Sequence, residues 1–143
     1  MSAGELSPPR SGFDWAAVVA SLILMLVVSV PTMIVEEDWH GRPMIDQPNH
    51  LWVIATCIVA AGFLVGGGLA GRRRPASAAR HATVAASLSV VVLLVGALSR
   101  RLWVVHEGVP GKVVQLWCLG VVGALVLSAV GSAIGRRQGS HTA

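Results

Sequence analysis

The chain has 143 residues, of which 54% are hydrophobic and 13% are charged. Soluble domains carry about 25% charged residues, so this chain has too few charges to cover the surface of an ordinary soluble fold. The hydrophobicity excludes a disordered chain, and two cysteines are too few for a disulfide-rich secreted scaffold. Four long apolar stretches with short polar connectors instead predict a polytopic membrane protein.

The basic residues lie where a membrane protein needs them. The formal net charge is +4, and the arginines cluster at the ends of apolar segments, as at 72–74, Arg80 and 136–137. This placement is typical of membrane orientation and of contact with anionic lipid headgroups. It offers no basic face on a soluble helix, so we expect the lipid bilayer as a partner and no nucleic acid.

The first span is predicted over 15–35, which is uncharged. At about 1.5 Å per residue it is long enough to cross roughly 30 Å of hydrocarbon. Its length, the acids Glu5 and Asp14 before it, and the lack of a small-residue cleavage site favour an uncleaved helix over a signal peptide. The other spans are predicted over 50–70, 82–98 and 113–134.

These spans form one predicted transmembrane domain, 15–134, between short tails at 1–14 and 135–143. The third span is the shortest, and its outer boundary stays open between Leu98 and Val105. With the N-terminus inside, the cytoplasmic segments hold seven lysines and arginines and the outer loops hold four. The positive-inside rule therefore places both termini in the cytoplasm. Abundant Ala, Gly, Val and Arg indicate a GC-rich bacterial genome, so the expected location is the bacterial inner membrane.

A weak internal repeat has an offset of 65 residues. Leu51-Trp52 matches Leu116-Trp117, and Val65-Gly66 matches Val130-Gly131. The first and third spans share only their apolar character. One interpretation is tandem duplication of a two-helix hairpin, whose copies would have the same orientation. The other is coincidence between apolar segments of limited composition.

Small residues at four-residue steps predict helix-packing faces on the second and fourth spans. Residues four apart lie on one side of a helix, and small side chains there let two backbones approach closely. We expect these faces to pack the second span on the fourth or on another chain. The residues are Gly62, Gly66 and Ala70 in the second span and Ala124, Ser128 and Ser132 in the fourth.

The most polar stretch follows the first span and is expected to be an outer loop. Its carboxylates and imidazoles could attract a divalent cation, but a ligand spacing such as H-x-x-x-H is absent, so a solvated loop is favoured. Pairing of its acids with Arg100 and Arg101 is a third interpretation. The residues of this candidate polar site are Glu36, Glu37, Asp38, His40 and His50.

Nothing in the sequence predicts catalysis, a cofactor or a metal centre. The spans contain no acidic or basic residue between their ends, and no G-x-S-x-G motif occurs. We therefore assign no catalytic, cofactor-binding or metal-binding residue. Cys57 and Cys118 are expected to be small buried hydrophobes.

The sequence thus predicts an all-α bundle of four transmembrane helices. The expected role is that of a non-enzymatic structural or accessory subunit, which packs against a membrane-protein partner or against itself as a homo-oligomer. The alternative is a small oligomeric channel or transporter whose acidic outer loop attracts a cation. The length and the four short spans resemble those of the small multidrug resistance transporters, but these depend on a glutamate inside the first helix, which 15–35 lacks. No family is assigned.

Overall fold

The structure, a computed structural model, describes residues 13–40, 49–73, 75–105 and 111–139, and the side chains of all of these except 35–40, 49–52, 104–105 and 112–113. The described chain is helical. The four helices are α1 (Trp15–His40), α2 (Asn49–Arg73), α3 (Ala78–Arg100) and α4 (Gly111–Gly139). A short 3-10 turn at Pro75–Ser77 precedes α3, and a π-helical turn at Arg101–Val105 follows it.

Each of the four helices is long and apolar enough to cross a membrane. The prediction of an all-α protein with four helices capable of spanning a membrane is therefore confirmed. A bilayer offers no water to pair with backbone groups, and a helix satisfies those groups within its own segment. The apolar runs of this sequence consequently fold as helices and not as open strands.

The helices are longer than the apolar runs that predict them. The acidic residues Glu36, Glu37 and Asp38 were expected to lie in a loop. The backbone of α1 stays helical to His40, so they lie in the last turns of that helix instead. Helix α3 begins at Ala78, before the predicted start at Ala82, and the helical path continues through the π-helical turn to Val105. Hydropathy marks the apolar part of each helix, whereas the helical hydrogen bonding of the backbone continues into the polar residues at its ends.

Contacts between the helices show that successive helices run in opposite directions. Gly62 of α2 lies beside Val28 of α1, and Gly66 lies beside Ser21, so these two helices are antiparallel. Gly67 and Gly71 of α2 lie beside Ser128 and Ser132 of α4, so these two helices are parallel, and contacts of the same kind make α1 parallel to α3. At one end of the bundle α1 and α3 begin and α2 and α4 end. We call it the arginine-rich end, after Arg72, Arg73, Arg80, Arg136 and Arg137.

The cross-section of the bundle is a rhombus. Helices α2 and α3 each pack against all three others, whereas α1 and α4 make almost no contact with each other in the described chain. The most extensive contact joins α2 to α4. The core contains many small side chains, and most buried residues lie in the half of the bundle nearer the arginine-rich end. Its main cluster is Val18, Met25, Phe63, Ala85, Ala86, Val90 and Ala124.

Candidate helix-packing site

Helices α2 and α4 approach so closely that only glycine fits between them. A Cβ atom added to Gly67 would lie less than 3.0 Å from the carbonyl oxygen of Ser128. One added to Gly131 would meet the carbonyl oxygen of Leu64 just as closely. Backbone atoms cannot move aside as the end of a flexible side chain can. The same restriction applies to Gly71, against Ser132, and to Gly135, against Gly68.

The predicted small-residue face of α2 lies partly against α1. A Cβ on Gly66 would be 2.7 Å from Cγ of Met25, and one on Gly62 would be 3.0 Å from Cγ1 of Val28. The contact with α4 instead uses Gly67 and Gly71, a second pair with the same four-residue step. That pair was missed although its spacing is visible in the sequence. Ala70, the third residue of the predicted face, is fully buried.

The predicted face of α4 lies in the interior of the bundle. Ala124, Ser128 and Ser132 are all buried. The hydroxyl of Ser128 donates a 3.1 Å hydrogen bond to the carbonyl oxygen of Ala82 in α3, while its own carbonyl faces Gly67 of α2. Ser128 therefore joins α4 to two helices at once. Ser132 donates to the carbonyl oxygen of Ala129 within α4.

Serines also line the contact between α1 and α3. The hydroxyl of Ser89 donates 2.9 Å to the carbonyl oxygen of Ala85 and lies 3.4 Å from Sδ of Met25. Ser21 and Ser29 are fully buried on the same side of α1 as Met25, with four-residue steps between them. Their small side chains let α1 lie close to its neighbours.

A histidine that the sequence did not single out organises the arginine-rich end. His81 is 1% exposed. Its Nε2 accepts a 2.9 Å hydrogen bond from the backbone N–H of Asp14, and its Nδ1 lies 2.9 Å from the carbonyl oxygen of Ser77. These partners assign the ring proton to Nδ1, which donates to Ser77. A lone histidine at the start of an apolar segment belongs to no spacing motif, so its role could not be predicted from the residue pattern.

Aromatic and charged groups surround this histidine. The ring of Phe13 stacks on His81 with 4.7 Å between centroids and an angle of 15°. The guanidinium of Arg80 lies 5.3 Å from the centroid of Phe13, within the range of a cation–π contact. Asp14 accepts a 3.2 Å hydrogen bond from the N–H of Ala17 and so caps the start of α1. The beginning of α1 is thereby attached to the beginning of α3.

The candidate polar site lies outside the described side chains. The backbone places Glu36, Glu37, Asp38 and His40 in the last turns of α1 and His50 at the start of α2. Cation binding and pairing with Arg100 and Arg101 stay predictions. Among the residues that the structure describes, no group of three or more metal-binding side chains occurs.

The expectation that the two cysteines are buried is wrong. Cys57 and Cys118 are both exposed on the surface of the bundle. A membrane protein presents apolar side chains to lipid as well as to its core, so an apolar residue type does not indicate burial there. Both thiols lie in the half of the bundle remote from the arginine-rich end.

The first half of α4 leaves one side without a partner in the described chain. None of its described residues from Gly111 to Gly123 is buried. A Cβ added to Gly120 or Gly123 would meet nothing within 4 Å. Leu116 is exposed and lies four residues before Gly120, and Gly123 lies three residues after Gly120. This spacing places Leu116, Gly120 and Gly123 on one side of the helix. We call Leu116, Gly120 and Gly123 the open face of α4.

No protein family, curated protein or solved structure matches the chain.

Proposed function

We propose that this protein is a non-enzymatic accessory subunit, which packs the open face of α4 against a helix of a membrane-protein partner or of a second copy. The supporting observation is the free space beside Gly120 and Gly123. Small residues on an exposed helix face let a second backbone approach closely, and this close packing drives helix association in lipid. No catalytic role is part of the proposal.

The glycines inside the bundle support this choice of surface. Gly62 and Gly66 lie against α1, while Gly67 and Gly131 lie within the contact between α2 and α4. A partner could use these positions only by separating the helices of this chain. A substitution such as Gly62→Leu therefore tests the fold and not assembly.

Cysteine cross-linking tests the proposed contact. Leu116→Cys, in a chain that also carries Cys57→Ser and Cys118→Ser, places one thiol on the open face. The matched control keeps Cys118 as the single thiol, because a residue two positions from Leu116 points to the other side of the helix. The single thiol is alkylated with a benzophenone maleimide, which needs no cysteine on the partner, and irradiation of native membranes should cross-link Leu116→Cys and not the control. Equal cross-linking, or none from Leu116→Cys, contradicts the proposal.

The mass of the cross-linked product identifies the kind of assembly. A product of twice the chain mass indicates a homo-oligomer. Any other mass indicates a different membrane protein, which tryptic mass spectrometry then names. Either product supports the proposal, since both use the open face.

The orientation proposed for the bundle has both termini in the cytoplasm. Five described arginines lie at the end where α1 begins and α4 ends, whereas Arg100 and Arg101 lie near the other end. An excess of arginine marks the cytoplasmic side of a membrane protein. With the bacterial composition, this distribution supports a multi-pass protein of the bacterial inner membrane.

Duplication of a hairpin is proposed from the register of the parallel helices. A two-fold axis along the membrane normal places equivalent residues at the same depth. Contacts between copies should then join residues separated by about the repeat offset. Gly67 meets Ser128 and Gly131 meets Leu64, separations of 61 and 67 residues. In the other parallel pair, Ser89 meets Met25 at a separation of 64.

The two hairpins are not packed as strict equivalents. Helix α2 packs against α3, whereas α1 and α4, which a two-fold axis would relate to that pair, hardly touch. Duplication would therefore have been followed by divergence in packing. Homologous sequences in which the matches 65 residues apart are not retained would overturn the proposal.

A further inference from the structure

The separation of α1 from α4 leaves a groove on the surface of the bundle. Its floor is the last part of α2, and α1 and α4 form its sides. The groove has a volume of about 280 Å³. Its apolar part is lined by Leu24, Leu64, Val65, Leu69 and Ile134.

The groove ends at a cationic group. Arg72 and Gln138 line it at the arginine-rich end, and Gly68, Gly131 and Gly135 line the rest of it with backbone atoms. The guanidinium of Arg72 donates from Nε and Nη2 to Oε1 of Gln138, with 2.9 Å between Nε and Oε1. The amide thereby orients the guanidinium at the mouth of the groove. A guanidinium has five N–H donors, and this contact uses two of them.

The length of the groove is close to the thickness of one leaflet of the hydrocarbon core. From Leu64 to Arg72 it follows eight residues of α2, which rise about 12 Å at about 1.5 Å per residue. One leaflet of the hydrocarbon core is roughly 15 Å thick, half of about 30 Å. An acyl chain in the groove would consequently bring its headgroup to the level of Arg72.

We propose that this groove is a binding site for one anionic phospholipid. The acyl chain lies along Leu64, Val65 and Ile134, and the headgroup phosphate accepts hydrogen bonds from Arg72. An apolar channel that ends in an oriented guanidinium matches both parts of such a lipid, because arginine binds phosphate through several parallel hydrogen bonds. The site lies at the arginine-rich end, remote from the open face of α4, and does not depend on the proposed function.

Two pairs of variants isolate the site. Arg72→Gln removes the cation at the groove, and Arg73→Gln removes the neighbouring exposed arginine, which does not line it. Gly68→Leu fills the groove, since a Cβ on Gly68 meets only the carbonyl oxygen of Gly131, at an ordinary 3.6 Å. Gly96→Leu makes the same change on α3, where a Cβ meets nothing within 4 Å.

Native mass spectrometry of the full chain measures the bound lipid. The protein is reconstituted with equal amounts of phosphatidylglycerol and phosphatidylcholine and released from detergent. We expect one retained phosphatidylglycerol on the wild type, with an affinity about tenfold lower in Arg72→Gln and Gly68→Leu. Arg73→Gln and Gly96→Leu should retain the lipid as the wild type does. If Gly68→Leu does not fold, Ile134→Trp fills the same groove from its exposed side.

Other results overturn the proposal. Equal losses in Arg72→Gln and Arg73→Gln would mean that general surface charge attracts the lipid. Equal retention of phosphatidylcholine would mean that the groove does not select an anionic headgroup. Displacement of the lipid by millimolar inorganic phosphate would mean that the acyl chain contributes nothing.

Discussion

The backbone N–H of Asp14 donates a 2.9 Å hydrogen bond to Nε2 of His81, which joins residues 67 positions apart in the chain. The same ring donates to the carbonyl oxygen of Ser77 and stacks on Phe13. One side chain therefore connects the residues before α1, the turn before α3 and α3 itself. This connection sets the height of α1 relative to the parallel helix α3.

Replacing this histidine should destabilise the bundle. His81→Phe keeps a ring that can stack on Phe13 but removes both hydrogen-bonding nitrogens. The part-buried N–H of Asp14 and the carbonyl oxygen of Ser77 each lose a hydrogen bond, which at about 0.5–1.5 kcal/mol per bond costs about 1–3 kcal/mol. Reversible unfolding in a mild detergent measures the change. Thr83→Ala, at an exposed position of the same helix, is the control and should leave stability unchanged; equal stability of the two variants would contradict the assigned role of His81.

The contact between α2 and α4 predicts opposite effects for two glycine substitutions. Gly131→Ala directs a methyl group at the carbonyl oxygen of Leu64, and such overpacking costs about 1–3 kcal/mol. Gly96→Ala meets nothing within 4 Å and should gain about 0.5–1 kcal/mol from the better helix former. Unfolding of both variants in one detergent gives the comparison. A Gly131→Ala protein as stable as the wild type would contradict the close contact between α2 and α4.

The helices could be predicted from the sequence, because crossing a membrane requires long uncharged runs and the chain has four of them. Which glycines face which helix could not. The run Gly66-Gly67-Gly68 supplies small residues on several sides of α2, so Gly62-x-x-x-Gly66 and Gly67-x-x-x-Gly71 are equally good packing motifs. The choice between them depends on the rotation of α2 in the bundle, which periodicity does not determine.

The exposure of side chains was harder to predict for the same reason. In water, an apolar cysteine or valine gains by burial, but in lipid it gains little. Cys57 and Cys118 therefore lie on the surface, while the polar ring of His81 is buried with both nitrogens paired. In this bundle, small size predicts burial better than hydrophobicity does, since most of the buried residues are alanines and serines.

Loss of the hydrogen bond from Ser128 should destabilise the bundle slightly. Ser128→Ala removes the bond to the carbonyl oxygen of Ala82 and leaves the close packing with Gly67 unchanged. Side-chain hydrogen bonds between membrane helices contribute about 0.6 kcal/mol on average, and we expect a loss of that size. Ser87→Ala, at an exposed position of α3, is the matched control in the same unfolding measurement. A loss no larger than that of the control would show that the bond contributes no net stability.

The proposed orientation predicts which side of the membrane labels the turn before α3. Ala76 is exposed in the turn Pro75–Ser77, beside the arginines of this end. Ala76→Cys, with Cys57 and Cys118 replaced by serine, should react with an impermeant maleimide only in inverted membrane vesicles. Labelling in intact spheroplasts instead would reverse the orientation and with it the positive-inside argument.

A large side chain on the open face of α4 should abolish the contact with the partner and leave the fold unchanged. Gly120→Leu adds a large side chain where a Cβ meets nothing within 4 Å, so the bundle itself has room for it. The bulk should separate the two approaching backbones, because close helix contact in lipid requires small residues at the crossing. We expect cross-linking from Leu116→Cys to disappear while the unfolding temperature stays that of the wild type. Gly96→Leu, on α3, should change neither measurement; persistent cross-linking in Gly120→Leu would exclude the open face as the contact.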